Sequence, residues 1–512
     1  MHDSPAERPG RPLRLLIDGS RPRRWHPALR ARLAARHSGA VDLVPAASAV
    51  APPSGLALLF ELERLVFGLA RDSATTRLAT ADLPPAMPAA ASPELTIDLS
   101  AGLDAPTVPG RHWRVTFDGA PGEDALLAAL LAGRNPVAEI REGNRIVAAA
   151  RLGTDYGGIL RASFEDALAR TATLILATLA AEDAGRAAPR LLPSDVPPPA
   201  PPLAPAVLAE RIGRLLTLGL ARRLYRLAFD SPHWRIGWRR IEGGSVWDHG
   251  GALPGGWRDL PDDGRRFYAD PFAIEHAGRL WLFVEDFVHR LGKGLISAVE
   301  IGPDGPVGAP RPVLEWSCHL SYPFVFAREG EIWMVPETGG AGTIELFRAT
   351  AFPGGWVREA TLVSGVTASD ATLVEQEDGT WWLFATVRDG GGAFSDALHL
   401  WWAPDFRGPW TPHPGNPVLI DIAAARPAGA MLRRGGALWR PVQDCGAGYG
   451  AALALARVDR LDREGFAQTV TAVLRPGPNW PGRRLHSLNA AGGHEFIDGS
   501  AAAPFRFRPR RA

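Results

Sequence analysis

Cysteine is almost missing from this chain: Cys318 and Cys445 are the whole complement of 512 residues. With no CxxC pair, they support neither a disulfide framework nor a structural zinc site, and a reducing cytoplasm is the expected setting. Lysine is scarcer still, Lys293 being the only one, so the positive charge is carried by arginine. Neither sign of charge prevails, since 56 basic residues face 55 acidic ones for a formal net charge of +1. That balance excludes a protein drawn to nucleic acid by bulk attraction. Long hydrophobic runs are absent too: the most apolar stretch, Gly55 to Ala70, is broken by Glu61, Glu63 and Arg64, so no membrane span is expected. Met1 to Arg14 carries Asp3, Glu7, prolines and arginines without the apolar segment of a secretory signal. The abundance of Ala, Gly, Pro and Arg reads as coding bias.

What is present is an ordinary globular composition, 46% apolar and 22% charged, in a chain long enough for two to four domains at roughly 150 residues each. The proline-dense segment LPSDVPPPAPPLAP, Leu192 to Pro205, excludes helix and central strand and marks a linker. Before it, short apolar strands at Leu13 to Asp18 and Leu95 to Leu99 alternate with helical patterns at His26 to Ala35, Gly55 to Arg71, Gly122 to Ala132 and Ser163 to Ala181. That alternation predicts a Rossmann-like α/β domain with a mainly parallel sheet over 13–190, preceded by a disordered 1–12. The linker takes 191–205, and 206–230 is a basic amphipathic helix in which Leu215, Leu216, Leu220, Leu224 and Leu227 interleave with Arg211, Arg214, Arg222, Arg223 and Arg226. Such a helix either packs between domains or lies on an anionic membrane surface. From 231 to 500 helical periodicity gives way to tryptophan-rich alternation, an all-β pattern, and 501–512 is an arginine-rich tail.

The all-β half repeats. DPFAIEHAGRLWLFVED from Asp270, YPFVFAREGEIWMVPET from Tyr322, DATLVEQEDGTWWLFAT from Asp370 and AGAMLRRGGALWRPVQD from Ala428 align without gaps. Trp281, Trp333, Trp381 and Trp439 share one register position. Each segment reads strand, glycine turn, strand, at a period of about 50 to 60 residues, which is that of a β-propeller blade. A fifth unit, HSLNAAGGHEFID from His486 to Asp498, completed by strands around Trp234 to Ile241, makes five blades. The repeated tryptophans are expected to pack blade against blade.

In this register the repeat starts converge on the central axis at one face. Because hairpin strands run antiparallel, the ends of the second strands return to the same face. The funnel is therefore expected to gather Asp270, Tyr322, Asp370, Arg426 and His486 or Asn489 from the starts. The second-strand ends add Glu285, Asp286, Glu337, Gln443 and Asp444, with His319 and Tyr449 alongside. Each acid has a structural alternative, that of tying blades by accepting backbone N–H bonds. No His, Asp and Glu spacing predicts a metal, and no cofactor is expected.

These residues resemble a known family. YADPFAIEHAGRLWLFVED is similar to the opening of the five-bladed propeller of glycoside hydrolase family 43. More narrowly, ADPF, HLSYPFVF, PET, SDAT with WWLF, ARPAG, RPVQD and HSLN look like the glucosamine inositolphosphorylceramide transferase N-terminal domain, over about Trp234 to Gly499. The resemblance implies a sugar, glycan or glycolipid headgroup as ligand, Asp270 as general base and Asp370 as an acidity-modulating aspartate. Inverting chemistry also needs an acid of raised pKa, but the fourth start reads Ala425-Arg426-Pro427-Ala428, and arginine stays protonated. Glu337 or Glu285 would then supply the acid, or Arg426 would hold a phosphate or carboxylate of the substrate. The bacterial proteins of this kind are labelled formyltransferase-like, yet the Asn, His and Asp constellation of formyltransferases is absent from the N-terminal half. No GxGxxG follows its first strand. Phe117-Asp118-Gly119 and Gly122-Glu123 form a loop that either binds a ligand or caps a helix.

Three readings of function remain open at this level. The first is a carbohydrate-active enzyme making or breaking a glycosidic bond in the funnel, in bacterial glycan or glycolipid metabolism. The second is a non-catalytic glycan-binding module, and the third a transferase with its chemistry in the N-terminal domain.

Overall fold

The computed structural model describes residues 11–37, 39–46, 53–85, 93–102, 110–189, 196–480 and 482–506. Most of the expected disordered N-terminus, the first part of the linker and the second half of the arginine-rich tail lie outside them. The chain divides into two compact units, Met1–Gly219 with Gly390–Ala393, and Leu220–Asp389 with Phe394–Ala512.

The first unit is built on one sheet. Its strands are β1 (Leu13–Asp18), β2 (Val41–Ala46), β3 (Leu95–Asp98), β4 (Arg111–Phe117), β5 (Ala120–Pro121), β6 (Val137–Glu142) and β7 (Arg145–Arg151), in the order β2-β1-β3-β4-β6-β7 with β5 beside β4. The first four pair parallel, while β6 and β7 continue antiparallel. Parallel strands covered on both faces read as unbroken apolar runs, and every residue of β3 (LTID) is buried. Helices α1 (Trp25–Arg36), α2 (Leu56–Phe67), α3 (Glu123–Leu131) and α4 (Leu160–Asp183) accompany the sheet, followed by α5 (Pro205–Ala228). Buried Glu63 of α2 caps α4, accepting the N–H groups of Leu160 at 2.8 Å and Arg161 at 2.7 Å, which satisfies two of its otherwise orphaned donors.

The loop before α3 is held by ion pairs within the unit. Glu123 binds Arg23 at 2.6 Å and the Trp25 indole at 2.7 Å, Asp124 binds Arg21 at 2.7 Å, and Asp118 accepts the Val137 N–H at 2.8 Å. The capping read as one alternative for this loop is not made by a side chain, since Gly122 stands at the N-cap of α3 without a side-chain capping bond.

The second unit is a five-bladed β-propeller. The first three blades open at Arg266–His276, Ser321–Arg328 and Ala368–Glu375, and each continues outward through antiparallel neighbours. The fourth comprises Leu432–Arg434, Ala437–Asp444, Ala452–Leu461 and Phe466–Leu474. The fifth joins the two ends of the domain: Ser487–Ala491 and His494–Ser500 are its inner strands, and Trp234–Arg240 and Arg258–Leu260 its outer ones. This closure leaves no open seam between first and last blade. A buried ion pair locks it, Arg239 Nε to Glu495 Oε2 at 2.8 Å, with Glu495 also accepting from Ser245 Oγ at 2.6 Å and the Val246 N–H at 2.8 Å.

The register tryptophans pack as expected. Trp281 lies against Phe352 of the second blade at 5.7 Å between ring centres, Trp333 against Phe406 of the third at 5.0 Å, and Trp439 against Trp247 of the segment leading round the fifth at 6.2 Å. Trp381 meets Phe326 of the second blade at 6.1 Å. Such edge and tilted contacts between large rings contribute beyond the area they bury.

Candidate functional site

The sequence register predicts that each repeat start is the first residue of an inner strand. The structure corrects this: in the first three blades the strands begin one to four residues earlier and the start sits in a bulge, whereas the fourth inner strand begins at Leu432, after Ala428, and the fifth at Ser487, after His486. Pairing slips between Ala269 and Phe272, between Ser321 and Phe324, and between Ser369 and Thr372. At each slip the repeat-start residue takes a left-handed backbone, φ being 49° at Asp270, 43° at Tyr322 and 56° at Asp370. These are three of the six non-glycine residues with positive φ among the described residues. A side chain in that region costs about 1 to 3 kcal/mol, so the fold carries strain three times at one ring. The bulge aims the start residue toward the axis where regular pairing would turn it along the blade.

A second ring faces the first. Glu285 pairs with Ala269, Glu337 with Ser321, Thr386 with Ser369 and Asp498 with Ser487, while the Gln443 N–H binds the Arg426 carbonyl at 2.9 Å. One position in five blades thus contributes two glutamates, a threonine, a glutamine and an aspartate.

Asp270 is nearly buried, and the cation beside it is His486. The imidazole stands between two carboxylates, Nδ1 at 2.7 Å from Asp498 Oδ1 and Nε2 at 3.2 Å from Asp270 Oδ1. Asp498 also accepts the Asp270 N–H at 2.8 Å, and Asp270 Oδ2 accepts the Tyr322 N–H at 3.1 Å. Burial alone would raise the Asp270 carboxyl, but the His486 charge, its hydrogen bond and the Tyr322 N–H outweigh it and hold the group below its ordinary value. Burial likewise opposes a charged His486, and the two carboxylates overcome it, keeping the ring protonated well above the usual imidazole range. Asp270, His486 and Asp498 also form a trio of metal-ligating side chains with ligand atoms within 4.8 Å of one another. Both ring nitrogens of His486 face carboxylates.

Glu337 is in the opposite state. Its burial, followed by the negative charge of Asp370, pushes its carboxyl up to about 8 against the pull of Arg426. Its Oε2 accepts the Asp370 N–H at 3.2 Å, and the nearest Arg426 nitrogen is 3.9 Å away. Its side chain keeps 20% of its surface exposed, so the proton can reach a bound ligand. Asp370 is pinned instead: Arg426 Nε donates to Oδ2 at 2.6 Å, Nη2 to Oδ1 at 3.3 Å, and Gln443 Nε2 to Oδ2 at 2.8 Å. The Arg426 guanidinium, which also reaches Ser395 Oγ at 3.2 Å and lies 4.9 Å from the centre of the Tyr449 ring, is engaged in both directions of its fork. Glu285 has a carboxyl raised well above its ordinary value by burial and then by the charge of Asp270. Its Oε1 lies 3.3 Å from His319 Nε2. The Gly294 N–H donates to Nδ1 of that ring at 2.9 Å, which places the imidazole proton on Nε2, facing Glu285.

The structure therefore brings together Asp270, Glu285, Glu337, Asp370, Arg426, Gln443, Tyr449, His319 and His486. It gives the remaining expected residues other surroundings. Asp286, on the opposite face of the strand from Glu285, is fully buried and held by Arg266 at 2.8 Å and Ser297 Oγ at 2.7 Å. Tyr322 is fully buried, its hydroxyl accepting the Gly429 N–H at 2.7 Å and meeting Thr372 Oγ1 at 2.9 Å. Asn489 ties the fifth blade to its neighbours, donating to the Pro271 carbonyl at 2.8 Å and accepting the Ala430 N–H at 2.8 Å. Asp444 accepts the Gly446 N–H at 2.9 Å. For Asp286, Tyr322 and Asn489 this departs from the funnel lining expected, because their polar atoms are buried on protein partners.

Asp498 was not among the expected site residues. Its hairpin lacks the bulge and is shorter than those of the first three blades, which hides its equivalence to Glu285 and Glu337. The signal available was Ser487, which pairs with Asp498 as Ser321 does with Glu337 and Ser369 with Thr386, and so sets the fifth register two residues later than a start at His486.

Fold and site together define a class: a five-bladed propeller whose inner strands gather several buried carboxyl groups of contrasting proton affinity. Residues 262–495 match the family described as Glucosamine inositolphosphorylceramide transferase 1, N-terminal, so the resemblance read from the motifs extends over the propeller. The chain is 34% identical over 233 residues to glucosamine inositolphosphorylceramide transferase 1 of Oryza sativa subsp. japonica, covering 44% of this chain and 31% of that protein. It is 33% identical over 232 residues to the protein of that name from Arabidopsis thaliana, covering 44% and 30%. The chain thus spans about a third of the length of these relatives. Solved structures similar to it include an alpha-L-arabinofuranosidase from Clostridium thermocellum (TM-score 0.33, 14% identity, 46% of this chain and 83% of that one). A GH43 enzyme from Xanthomonas citri complexed with xylose is similar as well (TM-score 0.34, 15% identity, 47% and 88%).

Proposed function

We propose that the propeller funnel is the active site of a carbohydrate-active enzyme, in which Asp270 and Glu337 act as base and acid on a glycosidic bond. Asp270 takes the proton of the incoming hydroxyl, the new bond forms to the sugar's anomeric carbon, and Glu337 delivers its proton to the departing oxygen as the old bond breaks. The two residues exchange roles of charge while the sum of protons stays constant, whether the incoming hydroxyl belongs to water or to an acceptor sugar. The single observation that carries this reading is the contrast between two carboxyl groups of one site. Asp270 is held ionised by His486, and Glu337 is held protonated to about pH 8. Pairs of titratable groups driven apart in this way are what acid–base chemistry at neutral pH requires. Asp370 and Arg426 set the proton affinity of Glu337 from behind.

The names of the plant relatives support an amino sugar and an inositol phosphate lipid headgroup as the substrate class, with transfer as the reaction. The test is turnover of a glucosamine-bearing inositol phosphate lipid by the full chain and by Asp270→Asn and Glu337→Gln. Both variants are expected to lose about 10²- to 10⁴-fold in turnover with headgroup binding retained. Wild-type binding without turnover would favour the glycan-binding reading, and turnover that survives both substitutions but not removal of the first unit would move the chemistry there.

A further inference from the structure

Helix α2 and the first part of α5, up to Gly219, lie side by side in the first unit; the rest of α5 belongs to the second. A Cβ built on Gly55, at the start of α2, comes within 3.8 Å of the Leu208 Cβ, and one built on Gly219 comes within 3.3 Å of Val66 Cγ1 at the other end. The two helices therefore run parallel over the length of α2. Leu208 and Leu215 turn inward and are buried. What faces water is unusually apolar: Leu58 and Leu65 of α2, with Leu216, Leu224 and Leu227 of α5, expose between 53% and 66% of their surface. Leu216, Leu224 and Leu227 fall along one stripe of α5 at helical spacing, and Tyr225 is also exposed.

Charge surrounds that stripe. Arg214, Arg222, Arg223 and Arg226 are exposed, and no carboxylate among the described residues lies within ion-pair distance of them. Beyond Glu210 the helix carries no acid. No helix among the described residues is long and apolar enough to cross a membrane, so the apolar face has no spanning role. A helix that exposes leucines together with arginines unpaired among the described residues is the chemistry of a segment lying in the headgroup region, leucines among the acyl chains and guanidinium groups on lipid phosphates.

We infer that α5 docks this protein onto the surface of an anionic membrane. The inference stands on the helix faces alone, so its failure leaves the funnel chemistry untouched, and its test contains no sugar substrate. The full chain is sedimented with vesicles of phosphatidylcholine alone and of phosphatidylcholine with phosphatidylglycerol. Binding is expected to the second kind only, weakening as salt is raised. Leu216→Glu with Leu224→Glu, and separately Arg222→Glu with Arg223→Glu, are each expected to weaken it about tenfold or more. Because these side chains are exposed, the circular dichroism spectrum and melting temperature should match wild type. Three outcomes overturn the inference: wild type that stays in the supernatant with the anionic vesicles, a leucine variant that binds them as wild type does, or a lipid-free dimer by light scattering that the leucine substitutions dissociate. The last would assign the face to a second copy of the chain.

Discussion

His486 is the residue on which the charge of the site turns. With Asp498 behind it and Asp270 in front, it sets one positive charge between two buried acids, and breaking such a row by removing one member typically costs about 3 to 5 kcal/mol. His486→Asn is expected to destabilise the protein by about that amount in denaturant titration and to lower turnover, since the carboxyl of Asp270 would rise without its cation. The sign with pH follows from the raised imidazole value. Its contribution is fully present below the ordinary histidine range and is lost as pH climbs through the higher folded value, so wild type should lose more stability at alkaline pH than His486→Asn. Glu337 predicts the alkaline limb of activity. Its acid form disappears as pH passes about 8, so turnover should fall there, and in Glu337→Gln the residual rate should no longer follow that limb. The same raised value makes the folded state the better proton binder. At pH 9, where wild type must fold with that carboxylate charged, Glu337→Gln should therefore be the more stable in a urea titration, and this advantage should vanish well below pH 8. Asp270, Glu337 and Asp370 were legible because a gap-free repeat gives each an address. Asp498 was not, because a shorter hairpin alters the count while preserving the place in space.

At the scale of the element, the repeat located the blades but not their bulges. Alternation and a shared tryptophan describe regular hairpins, whereas the departure that aims Asp270, Tyr322 and Asp370 at the axis is one of backbone sign, with no residue type to announce it: aspartate, tyrosine and aspartate adopt it alike. The fourth blade offers a sharp test of how tightly these inner edges meet. Gly429 has φ 144°, and a Cβ placed on it would lie 2.1 Å from the Leu488 carbonyl oxygen. Gly429→Ala should therefore cost more than about 2 kcal/mol, read as a drop in the denaturant midpoint. The neighbouring tryptophans should behave as core: Trp333→Ala, at a site 2% exposed, is expected to cost about 3 to 5 kcal/mol. In the first unit, the strands with unbroken apolar runs were legible. The antiparallel addition of β6 and β7 was not, since edge direction depends on which neighbour a strand finds.

For the whole molecule, the matching family region begins at residue 262, but the ring does not. Trp234–Arg240 and Arg258–Leu260 are the outer strands of the fifth blade, and Arg239 is the counter-ion of fully buried Glu495. A fragment spanning residues 230–506 is expected to be recovered soluble with a single cooperative unfolding transition. One starting at residue 262 should aggregate or melt far lower, since it leaves Glu495 unpaired and a sheet edge open. The presence of an α/β unit and a propeller was readable from the change of periodicity along the chain, whereas the boundary between the compact units falls within α5, after Gly219, and not at the proline-dense segment.

The fifth blade also dates the active site within the life of the polypeptide. The strand that carries Asp498 is the last of the propeller to be synthesised, and it is Asp498 that anchors His486 and receives the Asp270 N–H. During translation, four blades can emerge and pack while their carboxyl groups still lack the cation that sorts them into base and acid. If the funnel works as proposed, a chain ending short of residue 498 should be inert however much of it has folded, since the ring closes only with that strand.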